Sequence, residues 1–181
     1  MITITIPGAE QWDPVHNEFV ITKDTTVTLE HSLISISKWE AKTHKPFLTK
    51  NEKTIDEILF YIQCMCLTPN VDPLIFNGLT QQNIETITGY IDDPMTATTI
   101  NDPRNGGKSK KEILTSEVIY YQMVALGIPF ECQKWHINRL LTLIKVCDIK
   151  NSPGTKMGKK ELAASNSALN AARKARLGTH G

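Results

Sequence analysis

The residues best suited to chemistry lie in the polar segment 101–111, which contains Gly106-Gly107-Lys108-Ser109. This quartet matches the end of a phosphate-binding loop, in which backbone N–H groups surround a phosphate and the lysine neutralises it. The complete pattern requires a glycine five residues before Gly107, where this chain has Asp102, and a buried strand ahead of the loop. The segment NDPRNGGKSKK therefore predicts a solvated loop.

The remaining titratable groups lack the spacing of a metal site or a nucleophilic site. The five histidines are scattered, and Cys64-x-Cys66 is too tight for a zinc knuckle and has no second pair. His136 is interpreted as a partly buried, hydrogen-bonded imidazole, and Asp92-Asp93 before Pro94 as part of a turn. The four cysteines lie in apolar helical patterns and are interpreted as structural. We expect no catalytic residue, no metal and no cofactor.

Composition and charge indicate a soluble globular protein with a basic end. Hydrophobic residues make up 40% and charged residues 22% of the 181 residues. No apolar run reaches the ~20 residues of a membrane span, and the first residues do not resemble a secretory signal, so an intracellular location is expected. Seven basic residues and one acid give +6 from Lys150 onward, so residues 1–149 carry −5 of the total +1.

The basic tail permits two interpretations. Lysine and arginine can neutralise nucleic-acid phosphates. However, no aromatic residue follows Trp135 on which a base could stack. A tail that is simply solvated, or that docks onto a protein partner, is therefore favoured over nucleic-acid binding.

The first thirty residues predict strands. Ile2, Ile4 and Ile6 alternate with threonine up to Pro7-Gly8, which is the period of a half-buried strand. Further strands are predicted at Phe19–Thr22 and Thr26–Glu30, joined across Lys23-Asp24. The expected product is a small antiparallel sheet.

Residues 32–150 predict helices. Ser32, Thr54 (with Glu57) and Thr80 are predicted to cap helices that end before Pro46, Pro69 and Pro94. The predicted apolar faces of the second and third helices comprise Ile55, Ile58, Leu59, Ile62 and Cys66, and Ile84, Ile87 and Ile91, respectively.

The strongest hydrophobic signal is a predicted helix pair, 113–147. Ser109-x-x-Glu112 is predicted to open a helix that runs to Leu126, with Gly127 ending it and Pro129 starting the next. That next helix reaches about Cys147, with Ile137, Leu140, Leu141, Ile144 and Cys147 on one face. A three-residue join predicts antiparallel packing. The predicted fold is mainly α (α+β): one domain at 1–150, with a small sheet at 1–30, followed by a basic tail at 151–181.

Several segments resemble the tail assembly chaperones of long, non-contractile-tailed (siphovirus-type) bacteriophages. The resemblance runs nearly from end to end but includes no catalytic motif. The segments that carry it are TITIPGAEQWD, LEHSLISISKWEAKTHKPFL, YIDDPMTATTI, EVIYYQMVALGIPFECQKWHINRLLTLIKVC and ALNAARKARLGTHG.

The resemblance implies a non-enzymatic assembly factor in the host cytoplasm. It would bind the helical tape-measure protein or other tail proteins, as a homo-oligomer or with other phage proteins. The alternative is a structural component of the virion, such as a head–tail connector or tail-completion protein.

The predicted partner surface combines the helix pair and the basic tail. Aromatic residues around the helical join, Tyr120 among them, could anchor a partner, although such a set more often belongs to the core. The candidate residues are Tyr121, Phe130, Trp135, Ile137, Leu141, Lys159, Lys160, Arg173, Lys174 and Arg176.

Overall fold

The computed structural model describes residues 1–50, 52–100, 113–151, 166, 167 and 170. The chain divides into two units after Asp148, and the fold described below is that of Met1–Asp148. Its class is α+β, as predicted, with an N-terminal β-arm followed by helices. The predicted loop 101–111 and nearly all of the predicted basic tail lie outside the described residues.

Four short strands form an antiparallel arm made of two successive ladders. We call the interruption between the two ladders, at Gly8-Ala9 and residues 22–24, the bend. β1 pairs with β4 from Ile2↔Leu29 to Ile6↔Thr25, and β2 pairs with β3 from Glu10↔Ile21 to Asp13↔Glu18. The predicted antiparallel strands are present, but β2 was not predicted, and β3 pairs with β2 rather than with β4. The strands are β1 Ile2–Ile6, β2 Glu10–Asp13, β3 Glu18–Ile21 and β4 Thr25–Leu29.

At the bend, side-chain oxygens accept the backbone N–H groups that would otherwise pair with the backbone of the opposite strand. The Gly8 N–H donates to Asp24 Oδ1 at 2.8 Å, and the Ala9 N–H donates to Thr22 Oγ1 at 3.0 Å. The Thr22 N–H returns a bond to the Ala9 carbonyl at 2.9 Å. A Cβ on Gly8 would lie 2.4 Å from the Thr22 carbonyl oxygen, so the close approach of the two chains requires glycine here.

Three helices follow the arm, and each begins at its predicted cap. They are α1 Leu33–Thr43, α2 Ile55–Met65 and α3 Gln81–Asp92. Ser32, Thr54 and Thr80 each accept a backbone N–H three residues later, and the residue there bonds back to the cap. An unpredicted 3₁₀ helix, Pro73–Gly78, lies between α2 and α3.

The predicted apolar face of α2 is correct only in part. Ile62 is buried as predicted and Leu59 and Cys66 are half-buried, but Ile55 and Ile58 are exposed, and the buried Tyr61 and Met65 were not predicted. The spacing of apolar residues along a helix limits which faces can be buried. The neighbouring elements decide which of those faces is buried. Here α2 packs against α1, with Trp39 Nε1 donating to the Glu57 carbonyl at 2.8 Å, and the Tyr61 hydroxyl is hydrogen-bonded to His31 inside the core. On α3, Ile87 is buried as predicted, whereas Ile84 is exposed.

The helix α4 Ser116–Ala125 begins later than predicted. Residues 113–115 are not helical, and the predicted capping box Ser109-x-x-Glu112 lies outside the described residues. Thr115 is the N-cap, but its side chain makes no capping bond. Instead Glu40, which is buried on α1, accepts the Ser116 N–H at 2.7 Å through Oε2. Gly127 follows the helix with φ +65°, consistent with its predicted role as a terminator.

The predicted antiparallel helix pair is also wrong. Pro129 precedes a 3₁₀ helix, Phe130–Lys134, and α5 Ile137–Asn151 starts only after it. α4 packs mainly against α1. The start of α5 is fixed elsewhere, because the Ile137 N–H donates to the His31 carbonyl at 2.8 Å. The core-facing side of α5 is largely as predicted, with Ile137, Leu140 and Ile144 buried.

Candidate functional site

Five buried titratable side chains gather where the β-arm meets the helices. His31 and His136 pack edge to face with ring centroids 5.0 Å apart. His31 Nδ1 is hydrogen-bonded to the Tyr61 hydroxyl, and the Tyr90 hydroxyl donates to Glu30 Oε1 at 2.5 Å. These five side chains join the end of β4 to α2, α3 and the start of α5.

The hydrogen bonds of this cluster are structural contacts between its members and the neighbouring backbone. Because the Tyr90 carbonyl can only accept, His136 Nε2 carries a proton and donates to it at 2.9 Å. His136 Nδ1 then accepts the Asn138 N–H at 3.3 Å, which confirms the predicted buried, hydrogen-bonded imidazole. Burial and, to a smaller extent, the nearby His136 lower the pKa of His31 to about 3, and burial raises the pKa of Tyr61. Both groups are therefore neutral near pH 7 and stabilise the fold.

The cysteines and the acidic pair occupy structural positions. All four cysteines are free thiols, and burial raises the pKa of Cys64 to about 11. Asp93 Oδ1 accepts the Met95 N–H at 2.7 Å, and its carbonyl accepts from the Asn138 amide at 2.8 Å, so it organises the turn after α3. Within the described residues, no three potential ligands are grouped to hold a metal. Across the same residues, no helix has the length and hydropathy to traverse a membrane.

The second type of candidate site is an exposed apolar surface on α4. Ile119 and Met123 are fully buried on one side of the helix. On the opposite side, the exposed fractions are 72% for Tyr121 and 62% for Val124, one helical turn apart. α4 is therefore apolar on both sides, which is typical of a helix covered all round.

Phe130 extends this surface beyond the end of α4. Its side chain is 52% exposed, and its ring centroid lies 6.3 Å from that of Tyr120. The Tyr120 hydroxyl donates to Gln133 Oε1 at 2.9 Å, which ties α4 to the following 3₁₀ helix. We call Tyr121, Val124 and Phe130 the α4 face.

The predicted partner residues that the structure describes fall into three groups by exposure. Tyr121 and Phe130 are exposed, as partner contacts require. Trp135 and Leu141 are half-buried, and the guanidinium of Arg139 lies 4.3 Å from the Trp135 ring centroid. Ile137 is fully buried in the core, so its assignment to a partner surface is wrong. The predicted tail residues lie outside the described part of the chain, namely Lys159, Lys160, Arg173, Lys174 and Arg176.

Another exposed apolar surface, on the hairpin β2–β3, was not predicted. Trp12 and Phe19 are cross-strand partners in T-shaped contact with ring centroids 5.0 Å apart, and Ile21 lies two residues along the same face. We call these three residues the hairpin face. The alternation of Glu10, Gln11, Trp12 and Asp13 was the available signal, but it covers only four residues and includes two acids.

Comparison of the chain with protein-family models, curated proteins and solved structures finds no match.

Proposed function

We propose that this chain is a non-enzymatic tail assembly chaperone of a long, non-contractile-tailed bacteriophage. It binds the tape-measure protein in the host cytoplasm while the tail is being built. The proposal joins the sequence resemblance to one structural observation, the α4 face. No cofactor, membrane or nucleic acid has a part in it.

The α4 face suits a helical client. Tyr121 and Val124 lie one helical turn apart, so they can pack into the groove between side chains of another amphipathic helix. Tyr121 offers a rigid aromatic anchor with a polar tip, the type of residue that contributes most to partner affinity. Val124 and Phe130 supply the apolar surroundings. Such contacts shield an apolar client helix without forming or breaking a covalent bond.

Co-expression with the tape-measure protein of the same tail-gene block tests this proposal. We expect the chain to raise the soluble fraction of that client and to co-purify with it. The double variant Tyr121→Ser/Val124→Ser should lose both effects and keep its fold, because both side chains are exposed. The control is Ile55→Ser, which removes a similarly exposed apolar side chain from α2. Equal losses in both variants, or none in the double variant, would refute the assignment to the α4 face.

Quantitative mass spectrometry of mature virions separates the chaperone from the structural alternative. A chaperone is expressed during infection but is absent from the finished particle. A copy number in fixed proportion to the major tail protein would instead make the chain a virion component, such as a connector or completion protein.

A further inference from the structure

One cavity combines an apolar floor with unpaired positive charge. It has a volume of about 260 Å³ and lies beside α1, the end of α2 and the 3₁₀ helix Phe130–Lys134. Its floor is apolar, and two lysines stand at its wall. We call it the lysine pocket, after Lys38 and Lys134. The lining also includes Ile34, Cys64, Met65 and Leu67.

The other polar groups of the wall already have partners. Glu30 Oε1 accepts the Tyr90 hydroxyl, and Glu30 Oε2 lies 2.8 Å from the Met1 ammonium. The Ser35 hydroxyl donates to the Ser32 carbonyl at 2.7 Å, and Ser32 Oγ accepts the Ser35 N–H at 3.3 Å. None of these groups needs a ligand.

The two lysines differ from these groups. In the described part of the chain, neither Lys38 nor Lys134 has a carboxylate within salt-bridge distance. The Cys64 thiol stays protonated near pH 7, because burial raises its pKa to about 11. The pocket therefore has two free positive charges above a neutral, apolar floor.

We propose that the lysine pocket binds a small carboxylate that carries an apolar body. The carboxylate accepts charge-assisted hydrogen bonds from Lys38 and Lys134, and the body covers Met65 and Leu67. The pocket is smaller than the ~300–1,000 Å³ of drug-sized sites, which limits the ligand to a short chain or a single residue. Inorganic phosphate would leave the floor uncovered, and a neutral apolar molecule would leave the lysines unused.

Calorimetric titration of the full chain with octanoate and octanol tests the site. We expect octanoate to bind at least about tenfold more tightly than octanol, since only the acid engages the lysines. The double variant Lys38→Ala/Lys134→Ala should weaken octanoate binding at least about tenfold. Both lysines are exposed, so the fold should persist. The control is Lys42→Ala, which removes an exposed charge one turn further along α1 and should leave octanoate binding unchanged.

Three results would overturn the proposal: equal affinity for acid and alcohol, an equal loss in the Lys42→Ala control, or no saturable binding of any acid at millimolar concentration.

A peptide ending in leucine, with a free or an amidated C-terminus, distinguishes the two sources of the ligand. Binding of only the free-ended peptide identifies a polypeptide C-terminus, and binding of only octanoate identifies a free acid. The lysine variants should leave client solubility unchanged, so this site and the α4 face can fail independently.

Discussion

The two halves of the β-arm have the same pairing but opposite environments. In the β1–β4 half, Ile4, Ile6, Val27 and Leu29 face the helices and are buried. In the β2–β3 half, the hairpin face is exposed. Both halves are antiparallel two-stranded ladders with alternating side chains, so strand pattern and register do not decide burial. What decides it is which elements cover each half: β1 packs against α3 and the 3₁₀ helix Pro73–Gly78, whereas β2 contacts only the 3₁₀ helix closely and the hairpin face is left exposed.

The sharpest test of this comparison is the same substitution in both halves. Ile6→Ala should lower the free energy of unfolding by about 3 kcal/mol, because it leaves a cavity at a fully buried position. Ile21→Ala, where the side chain is 79% exposed, should change it by less than about 0.5 kcal/mol. Urea denaturation of both variants measures the difference. Similar losses would mean that the hairpin face is covered in solution.

His31, just after β4, and His16, in the hairpin, have pKa values shifted in opposite directions. Burial keeps the pKa of His31, just after β4, near 3, so the unfolded chain binds the extra proton between pH 6.5 and 3. Stability associated with His31 is complete above pH 6.5 and falls with decreasing pH, by about 3 kcal/mol at pH 4.5. His31→Gln should flatten this dependence, measured by urea denaturation across the range.

For His16 in the hairpin, the pKa is raised, so its contribution to stability depends on pH in the opposite sense. Its hydrogen bond to Asp13, at 2.6 Å, and the charge of Asp13 raise its pKa. Its contribution is present below pH 6.5 and disappears as the pH rises through the raised value. Because His16 is exposed, His16→Gln should leave the acid dependence of unfolding nearly unchanged. The two histidine variants therefore serve as a matched pair, and an equal effect would contradict the comparison.

The bend itself can be disturbed by one methyl group. Gly8→Ala should cost about 2 kcal/mol, because the new Cβ would press on the Thr22 carbonyl and the backbone would have to move. Gly89→Ala is the control: nothing lies within 4 Å of its Cβ on α3, and alanine should stabilise the helix by about 0.5–1 kcal/mol. Thermal unfolding of both variants measures the contrast. A neutral Gly8→Ala would show that the bend is adaptable.

The smallest expected effect concerns the aromatic pair of the hairpin. Phe19→Ala removes the edge contact with Trp12 and should cost about 1 kcal/mol or less. The tryptophan emission should shift to longer wavelength as the indole becomes more exposed. An unchanged spectrum would mean that the two rings are not in contact in solution.

Local signals predicted much of the fold, and distant contacts account for the errors. Thr54 was found because its capping partner Glu57 lies three positions away, and Ser32 and Thr80 because a capping residue precedes side chains at helical spacing. The start of α4 was missed because its acceptor, Glu40, is 76 residues away from Ser116. Ile137 was placed on a surface because helical periodicity shows that a face is apolar without showing what covers it.

The sequence indicated only the aromatic residues of the α4 face. Tyr121 and Phe130 stand out in the sequence as aromatic residues close to a helical break. The hairpin face did not stand out, because β2 is four residues long and its pairing with β3 becomes evident only in three dimensions. The lysine pocket joins residues from 34 to 134, so no local pattern could indicate it.

The carboxylate of Glu40 has a consequence for the order in which the chain folds. Because α4 takes the acceptor for its first N–H from α1, we expect α1 to form before α4 becomes stable. Contacts between residues so far apart in sequence form slowly, since a long loop must close first. The α4 face, which we propose as the client surface, would thus appear only on chains whose body is already assembled. An incompletely folded copy would present no finished surface to its own kind or to its client.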